Sequence, residues 1–526
     1  MACFAAIDVG SNALRLKVVD APDIEGPPEQ LALILAEPAR EVASLRAAVR
    51  LGAATFHTGR IDAKTMDDVC TSLREFRVVM DAHHVVKYRA TATSALREAK
   101  NAEALVERVR RETGIDLEII SGAEEARLIQ LAINRRVDLG PSKALLVDVG
   151  GGSTELTRVE GGGAIASMSL PLGTVRLLAM FPSQKDAEQN TRQIKRAVKE
   201  AFRGVTKDMA IAGSVVLATG GNSDTLAELC AADTPLAPDL RVRGEGRIKR
   251  ILVSKLKELT SELGAMKVSE REKRFKLRND RADTIFPAAC IYSEAAALVG
   301  AKELLVPGSG LRDGVLEELI LKHRHVWDER LDDALIMRQC QDVAAKYHCD
   351  VDHARTVCEF ASQLFDVTRD VHSLPPRDRT LLRAAAFMHD IGAFIHRDGH
   401  HKHSYYAIMN TDIMGFSDVE RVVTANVARY HRKSPPSMDH PPFREMSRED
   451  RARVRALASL VRLADSLAHA FGTRGEVVDM ALDRARSRLV FSVARPEGAE
   501  WSSVLRADMM RDVLGLDVLA RAAPAA

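Results

Sequence analysis

The sequence has few aromatic residues, few cysteines and almost no net charge, and each shortage excludes a class of protein. Aromatic residues make up only 4% of the 526 residues. The seven cysteines are scattered, odd in number and without a CxxC pair. This pattern argues against a disulfide framework or a zinc ribbon and favours reduced thiols. Because the formal net charge is +2, a site for a polyanion has to come from a local cluster of Lys and Arg.

Long hydrophobic runs are also lacking. No apolar stretch approaches the roughly 18 residues of a membrane span, and the N-terminus has no basic region typical of a signal peptide. We therefore expect a cytoplasmic protein without a membrane partner. A chain of 526 residues exceeds what a single hydrophobic core organises, so we expect three or four domains.

One supersecondary pattern occurs twice. An apolar run at 3–9 ends in Asp8-Val9-Gly10, and alternating residues follow at 14–19. A second apolar run at 144–149 also ends in Asp-Val-Gly and leads into alternating residues at 155–159. Each half predicts a β-hairpin. The repeat predicts two similar lobes.

Between and after the hairpins, strand and helix patterns alternate, which is typical of an α/β layer architecture. Beyond about residue 320 the pattern becomes helical, and eleven of the sixteen histidines lie beyond residue 340. A strand-like segment at 488–494 suggests a small last subdomain. The predicted domains are two lobes at 1–130 and 131–315, a helical domain at 316–470, and a small C-terminal subdomain with a tail at 471–526.

Four glycine-containing turns follow apolar strands and are candidate phosphate-binding loops. Glycine lets successive backbone N–H groups point at one anion, and Ser, Thr and Asn side chains add donors. Each turn alone is equally typical of a plain hairpin. Together they predict a cleft at the carboxyl ends of the strands. The candidate phosphate ligands in the first three turns are Asp8, Gly10, Ser11 and Asn12; Gly150, Gly151, Gly152, Ser153 and Thr154; and Gly220, Gly221 and Asn222. The fourth turn is 307–314.

Several ordered motifs resemble those of the exopolyphosphatase/guanosine pentaphosphate phosphatase (Ppx/GppA) family, within the actin-like ATPase superfamily. They lie at 7–12, 92–99, 120–128, 148–155 and 310–314. The resemblance extends past residue 320, as in the long members of the family. It implies a duplicated two-lobe actin-like (RNase H-like) α/β fold, followed by an all-α HD-like domain and a small α+β subdomain. It also implies Mg²⁺, with Mn²⁺ as a substitute, and a homodimer.

The resemblance places the catalytic carboxylate at Glu125, the second Glu of the Ser-Gly-x-Glu-Glu-Ala-Arg motif. From the residues alone, both glutamates of that motif are equally typical of a helix start, where they offset the helix dipole. Asp148 and Glu155 are the candidate Mg²⁺ ligands. Arg97 is a candidate bidentate phosphate ligand, with an ordinary helix-surface Arg as the alternative. Arg281 is the candidate from the basic stretch 241–281.

A second candidate centre lies in the histidine-rich half. His353, His389, Asp390 and Asp465 follow the order His…His-Asp…Asp, which resembles the HD metal-dependent phosphohydrolases. Two imidazoles and two carboxylates suit a transition metal, and His403 and His431 are candidates for extending the set to a second metal. The alternative is a helical domain whose histidines hydrogen-bond internally or line a polyphosphate channel.

We expect an exopolyphosphatase that releases terminal orthophosphate from inorganic polyphosphate by Mg-assisted attack of water. Hydrolysis of pppGpp to ppGpp is the first alternative, because both substrates present a terminal phosphoanhydride. A regulator that binds (p)ppGpp or polyphosphate without turnover is the second, and an actin-like ATPase or kinase is the third. No nucleic-acid partner is expected.

Overall fold

The computed structural model describes residues 2–22, 39–139, 142–161, 163–182, 187–207, 209, 211–230, 241–242, 248–323, 329–471, 477–493 and 505–522. These residues form two compact units, Met1–Asp328 and Glu329–Ala526. The basic segment at 243–247, which belongs to the stretch 241–281, lies outside the described residues.

The first lobe of the first unit is built on a five-stranded sheet of order β3-β2-β1-β4-β5. The central strand β1 pairs antiparallel with β2 and parallel with β4. Its two faces are both covered: Ala5 and Ile7 belong to one hydrophobic cluster, and Phe4 and Ala6 to another. Burial on both faces explains why β1 is a continuous apolar run. The strands are Ala2–Val9 (β1), Leu14–Ala21 (β2), Arg40–Ala47 (β3), Val85–Ala92 (β4) and Leu117–Ile119 (β5).

The second lobe repeats this topology. Its six-stranded sheet has the order β12-β13-β10-β7-β8-β9. The central strand β7 pairs antiparallel with β8 and parallel with β10, as β1 does with β2 and β4. The sequence repeat is therefore a structural duplication. These strands are Lys143–Val149 (β7), Thr154–Glu160 (β8), Gly163–Leu170 (β9), Val215–Gly220 (β10), Lys249–Leu252 (β12) and Glu303–Val306 (β13). Val137–Asp138 (β6) and Arg241–Val242 (β11) form a separate two-stranded sheet.

Helices cover the sheets of both lobes, as expected for an α/β architecture. In chain order they are Leu51–Thr58, Ala63–Ala82, Ser94–Glu98, Ala102–Thr113, Gly122–Arg136, Thr174–Met180, Ala187–Arg203, Ser223–Leu229, Val253–Ala265, Val268–Phe275, Asn279–Ala282, Ile285–Val299 and Leu311–His323. The apolar stretch Asn279–Val299 is the one segment of the described residues that is long and apolar enough to cross a membrane. It is 72% buried inside the protein, as a core helix is.

All three boundaries drawn from the sequence fall inside helices. Position 130 lies within Gly122–Arg136, position 315 within Leu311–His323, and position 470 within Arg448–Phe471. Val315 and Leu316 pack with Phe4 of β1 in one buried cluster, so this last helix belongs to the first unit. The helix Leu311–His323 thus continues past the predicted boundary at 315. The break between the two units follows residue 328.

The second unit is helical with one small sheet. A single hydrophobic core runs through its helices and includes Leu489 and Phe491 of the sheet. The helices are Glu329–Lys346, Val351–Val367, Arg369–His372, Pro376–Met388, His400–Met409, Asp418–Arg429, Pro441–Arg444, Arg448–Phe471 and Asp508–Leu514, with 3-10 turns at Ile391–Phe394 and Arg484–Arg486. The strands Val477–Asp483 (β14), Arg488–Val493 (β15) and Asp517–Ala522 (β16) form the sheet. This matches the predicted small α+β element after the helical domain.

Candidate active site between two glycine loops

The two predicted phosphate loops are equivalent hairpin turns. In the first, the register closes at Val9 opposite Leu14, and the Gly10 N–H donates to the Ala13 carbonyl at 3.2 Å. In the second, Val149 lies opposite Thr154, and the Gly150 N–H donates to the Ser153 carbonyl at 3.0 Å. Each turn therefore closes with one internal bond.

Glycine is required where the loops meet. A Cβ on Gly151 would lie 2.8 Å from the Cβ of Ser11, so a side chain there would push the two loops apart. Gly220 has a φ of +108°, which a residue with a side chain rarely adopts. A Cβ on Gly220 would also lie 2.4 Å from the Val149 carbonyl oxygen. The first three glycine turns thus converge on one place.

That place is a cleft with a volume of about 200 Å³. Its described wall contains no Phe, Tyr, Trp or His side chain. The fourth turn contributes Gly308, Ser309 and Gly310. Most of the predicted site residues lie on this wall, namely Asp8, Gly10, Ser11, Asn12, Glu125, Asp148, Gly150, Gly151, Ser153, Gly220, Gly221, Asn222 and Arg281.

Four predicted residues are not on the wall. A Cβ on Gly152 would collide with the Phe56 ring, so this glycine serves packing. The Thr154 hydroxyl donates to the Leu172 carbonyl at 2.5 Å and is therefore already engaged. The other two, Arg97 and Glu155, lie behind the wall beside Glu125 and Asp148.

The helix Gly122–Arg136 directs its two first-turn glutamates to different places. Ser121 caps the helix, because its Oγ accepts a hydrogen bond from the Glu124 N–H at 3.1 Å. The Glu124 carboxylate is paired with Arg127 at 2.7 Å and Arg89 at 3.0 Å. Glu125 instead faces the cleft, and its Oε2 has no hydrogen-bond partner among the described residues. The structure thus separates two glutamates that are alike in sequence.

Glu125, Asp148 and Glu155 form one buried carboxylate cluster. One oxygen of each lies within 4.8 Å of an oxygen of the other two. Asp148 and Glu155 are opposite each other on β7 and β8. The Thr219 hydroxyl donates to Asp148 at 2.7 Å, and the Ser169 hydroxyl donates to Glu155 at 3.0 Å.

Burial and mutual repulsion perturb all three carboxyl groups. Burial, followed by the charges of Glu155 and Asp148, raises the pKa of Glu125 well above its usual range. Burial and the charge of Asp148 raise the pKa of Glu155 to about 7. Burial raises the pKa of Asp148 to about 6, although the Thr219 hydroxyl acts in the opposite direction. The cluster therefore favours a proton or a cation.

A divalent cation fits this cluster. The Oε2 atoms of Glu125 and Glu155 are both buried without a hydrogen-bond partner among the described residues. Three carboxylates in one place offer the oxygen ligands that Mg²⁺ and Mn²⁺ accept. Arg97 partly compensates the charge, since its Nη1 lies 3.9 Å from Glu125 Oε2 while also donating to the Ile120 carbonyl at 2.6 Å. In this structure Arg97 thus contacts the carboxylate that faces the cleft.

Sequence reasoning missed the arginines of the cleft. Arg15, Arg46 and Arg312 line it together with the predicted Arg281. Burial, then the charges of Arg15, Arg278 and Arg46, lower the pKa of Arg281. Such crowding of like charges indicates a place for an anion. Arg15 was missed because, on the alternating strand β2, it has the pattern of a solvent-facing residue.

The duplication gives these residues a simple relation. Arg15 lies opposite Asp8 in the first hairpin, and Glu155 lies opposite Asp148 in the second. The same position of the repeat thus carries a guanidinium in one lobe and a carboxylate in the other. In the first hairpin Arg15 offsets the charge of Asp8, whereas the second hairpin holds two carboxylates and is suited to a cation.

The four predicted residues of the second unit also come together. The Asp465 Oδ1 lies 3.3 Å from His353 Nε2 and 3.5 Å from His389 Nε2. The His389 Nε2 lies 3.5 Å from Asp390 Oδ2. His431 is close to this group, and the other additional imidazoles are His400 and His469, not His403.

Comparisons with known proteins identify the family of the chain. The Ppx/GppA phosphatase family matches residues 35–323, and domain III of Ppx/GppA phosphatases matches residues 337–490. The crystal structure of an exopolyphosphatase from Cytophaga hutchinsonii is 26% identical, covers 60% of this chain and 97% of its own, and has a TM-score of 0.52. A Ppx/GppA family member from Aquifex aeolicus is 27% identical, covers 62% of this chain and 99% of its own, and has a TM-score of 0.49. The chain, with its duplicated actin-like lobes and its additional helical region, belongs to the Ppx/GppA phosphatase family.

Proposed function

We propose that this phosphatase, a hydrolase of phosphoanhydrides, is an exopolyphosphatase that releases terminal orthophosphate from inorganic polyphosphate by Mg-assisted attack of water. One observation carries the proposal. The buried, unpartnered carboxylate of Glu125 faces the same cleft as the two glycine loops and a group of arginines.

The glycine loops are suited to the terminal phosphate. Phosphoryl transfer to water depends on positioning and electrostatic stabilisation rather than on covalent chemistry. The loops offer backbone N–H groups to the phosphate. The side chains of Ser11, Asn12 and Ser153 lie on the same wall of the cleft. Asn12 Oδ1 is buried without a hydrogen-bond partner among the described residues. As an acceptor, it is suited to hold a water molecule beside the terminal phosphate.

Glu125 is suited to act as the general base. A base is most effective when its pKa lies near the working pH, and burial with two neighbouring carboxylates raises the pKa of Glu125. Its free Oε2 can accept a proton from a water in the cleft. Asp148 and Glu155 would hold the divalent cation, and Glu125 lies beside them. When bound, this cation neutralises charge on the phosphoryl oxygens.

The arginines favour a linear polyanion over a nucleotide. Arg15, Arg46, Arg281 and Arg312 lie on one wall of the cleft together with several carboxylates, and Arg46 is paired with Asp280. With a divalent cation on the carboxylate cluster, the guanidinium groups suit a substrate with a phosphate at every repeat. A guanine base is commonly held by stacking on an aromatic side chain, and the described part of the cleft wall has none. The similarity to a structure described as an exopolyphosphatase supports the same choice.

Hydrolysis of pppGpp remains the second candidate, because its terminal phosphoanhydride suits the same loops. Binding of (p)ppGpp or polyphosphate without turnover is less consistent with three buried carboxylates beside the loops. An actin-like ATPase or kinase would need a base pocket and an acceptor site. The homodimer and the cytoplasmic location stay predictions from the sequence.

A substrate panel tests the proposal. The full chain is incubated with Mg²⁺ and, in parallel, with long polyphosphate, tripolyphosphate, pppGpp or ATP, and released phosphate is measured. We expect the highest kcat/KM for long polyphosphate. Higher values for pppGpp or ATP would transfer the proposal to the guanosine pentaphosphate phosphatase or the ATPase, and no release from any substrate would favour the regulator.

A further inference from the structure

The helix that carries Glu125 is joined to two other elements by a ring of four charged side chains, which we call the charge ring. Its members are Arg89 on β4, Glu124 and Arg127 on the helix of Glu125, and Glu318 on the helix Leu311–His323. Three of them are buried, and the Arg89 side chain is 19% exposed. None of the four is among the described residues of the cleft wall.

Each arginine of the charge ring bridges both glutamates. Arg127 donates from Nε and Nη2 to Glu124 at 2.7 Å and 2.9 Å, and its Nη2 also donates to Glu318 at 2.7 Å. Arg89 donates to Glu318 at 2.7 Å and to Glu124 at 3.0 Å. The ring is therefore closed and has no net charge, and moving any one member breaks two ion pairs.

A close backbone contact lies one helical turn from the charge ring. A Cβ on Gly314 would lie 1.9 Å from the Leu128 carbonyl oxygen, so the two helices cross with backbone against backbone. Leu128 follows Glu124 by four residues, and Gly314 precedes Glu318 by four, which is about one turn. The crossing sets the distance between the two helices, and the ion pairs set the rotation of one against the other.

This rotation decides where the Glu125 carboxylate lies. Adjacent residues of an α-helix project about 100° apart, so holding Glu124 on one side fixes the direction of Glu125. A constraint is needed there, because Glu125 lies beside Asp148 and Glu155 and its Oε2 has no hydrogen-bond partner among the described residues. Repulsion between like charges favours any movement that withdraws Glu125 from the other two carboxylates.

Stability alone does not account for the charge ring. Taking four charges out of water carries a desolvation penalty that can exceed their mutual attraction, and apolar side chains of similar volume are often at least as stabilising. Ion pairs provide direction, which apolar contacts do not. A bidentate pair between a guanidinium and a carboxylate, such as Arg127 with Glu124, has a specific geometry.

We propose that the charge ring positions Glu125 for catalysis by fixing the rotation of its helix. The inference rests on the function proposed above, in which Glu125 is the general base. The members of the charge ring are thus positioning residues, which act on the reaction only through Glu125. Loss of the ring should lower kcat and leave KM for polyphosphate nearly unchanged, because its members are not among the described residues of the cleft wall.

A double-mutant cycle on the full chain tests the proposal. The variant Arg127→Met/Glu318→Gln removes one charge of each sign, so the net charge is kept. With Mg²⁺ and long polyphosphate, it should lose about 10- to 100-fold in kcat. In a Glu125→Gln background, the same two changes should cause no further loss of kcat, because the group that they position is already absent.

A matched control and a milder variant complete the design. Glu118→Gln removes a carboxylate that Arg89 binds at 2.9 Å outside the charge ring, and it should keep the native kcat. Arg127→Lys keeps the charge but loses the planar fork, so it should lower kcat in the same way if the double change prevents folding. Circular dichroism and thermal unfolding of every variant identify those that are folded at the assay temperature.

Three results would overturn the positioning role. They are native kcat in folded variants of the charge ring, an equal further loss of kcat in the Glu125→Gln background, and a rise in KM without a change in kcat. Native kcat in Glu125→Gln itself would instead reject the proposed general base. The failure of the inference and the failure of the proposed function are therefore distinguishable.

Discussion

Replacing Glu155 by Gln tests whether burial and the charge of Asp148 make the ionised Glu155 carboxylate unfavourable in the folded chain. Burial and the charge of Asp148 raise the pKa of Glu155 from its ordinary 4.5 to about 7. Between these pH values the unfolded chain has released a proton that the folded chain retains. The stability of the cation-free protein therefore falls as the pH rises through this window. The rise in the pKa of Glu155 corresponds to a loss of about 3 kcal/mol in the free energy of unfolding.

Gln carries no charge, so Glu155→Gln should be more stable than the native chain above pH 7 in EDTA. Below pH 4.5 the two should be similar. Thermal unfolding at several pH values measures this, with and without Mg²⁺. Mg²⁺ should stabilise the native chain more than the variant, because the variant has lost a ligand. The control is Glu103→Gln, an exposed first-turn glutamate, which should change little. A lower melting temperature for Glu155→Gln in EDTA above pH 7 would refute this destabilisation by the ionised carboxylate.

Three further predictions concern the loops, the arginines and the buried ion pairs of Glu318. Gly151→Ala places a Cβ 2.8 Å from that of Ser11. It should lower the free energy of unfolding by about 1–3 kcal/mol, measured by denaturant unfolding. It should also lower kcat/KM, measured by phosphate release. Arg281→Ala should raise KM for long polyphosphate about tenfold and reduce the salt dependence of binding, with a smaller effect on tripolyphosphate. Glu318 is buried, yet Arg127 and two other cations lower its pKa to about 2. Its pairing therefore stabilises the first unit above pH 4.5 and is lost as the pH falls toward 2, so Glu318→Gln should flatten the acid side of the melting-temperature profile.

The glycine and arginine variants each have a matched control, and all three variants have a contradicting result. Gly204→Ala meets its nearest atom only at 3.5 Å and should be neutral; equal effects at both glycines would refute the steric argument. Arg274→Ala removes an exposed cation of the same basic stretch, and an equal rise in KM would mean that general charge is sufficient. An unchanged acid profile in Glu318→Gln would show that the buried pairing contributes nothing to stability.

The duplicated lobes were predictable because hydrophobic periodicity is a local property of the chain. The apolar runs that end in Asp8 and Asp148 correspond to strands β1 and β7, and the alternating runs correspond to β2 and β8. The domain boundaries were not predictable to the residue. The helix Leu311–His323 continues past position 315 because its apolar face packs on β1, a contact between residues distant in sequence.

The site was predictable in its loops and only partly in its side chains. Nothing local distinguishes Glu124 from Glu125, and the difference arises from the pairing of Glu124 with Arg127. The Thr154 hydroxyl has the right chemistry to donate to a phosphate oxygen, but in the structure it donates to the Leu172 carbonyl. In the second unit, several histidines lie close together in sequence, and only the fold selects His400.

The most direct test of the account compares Glu125→Gln with His389→Ala in phosphate release from polyphosphate. Both units contain a candidate hydrolytic centre, so phosphate release alone does not locate the reaction. Loss of a general base lowers kcat by about 10²- to 10⁴-fold. We predict that loss for Glu125→Gln, with polyphosphate binding retained, and near-native kcat for His389→Ala. Near-native turnover by Glu125→Gln, together with loss of turnover by a folded His389→Ala, would contradict the assignment of catalysis to the cleft.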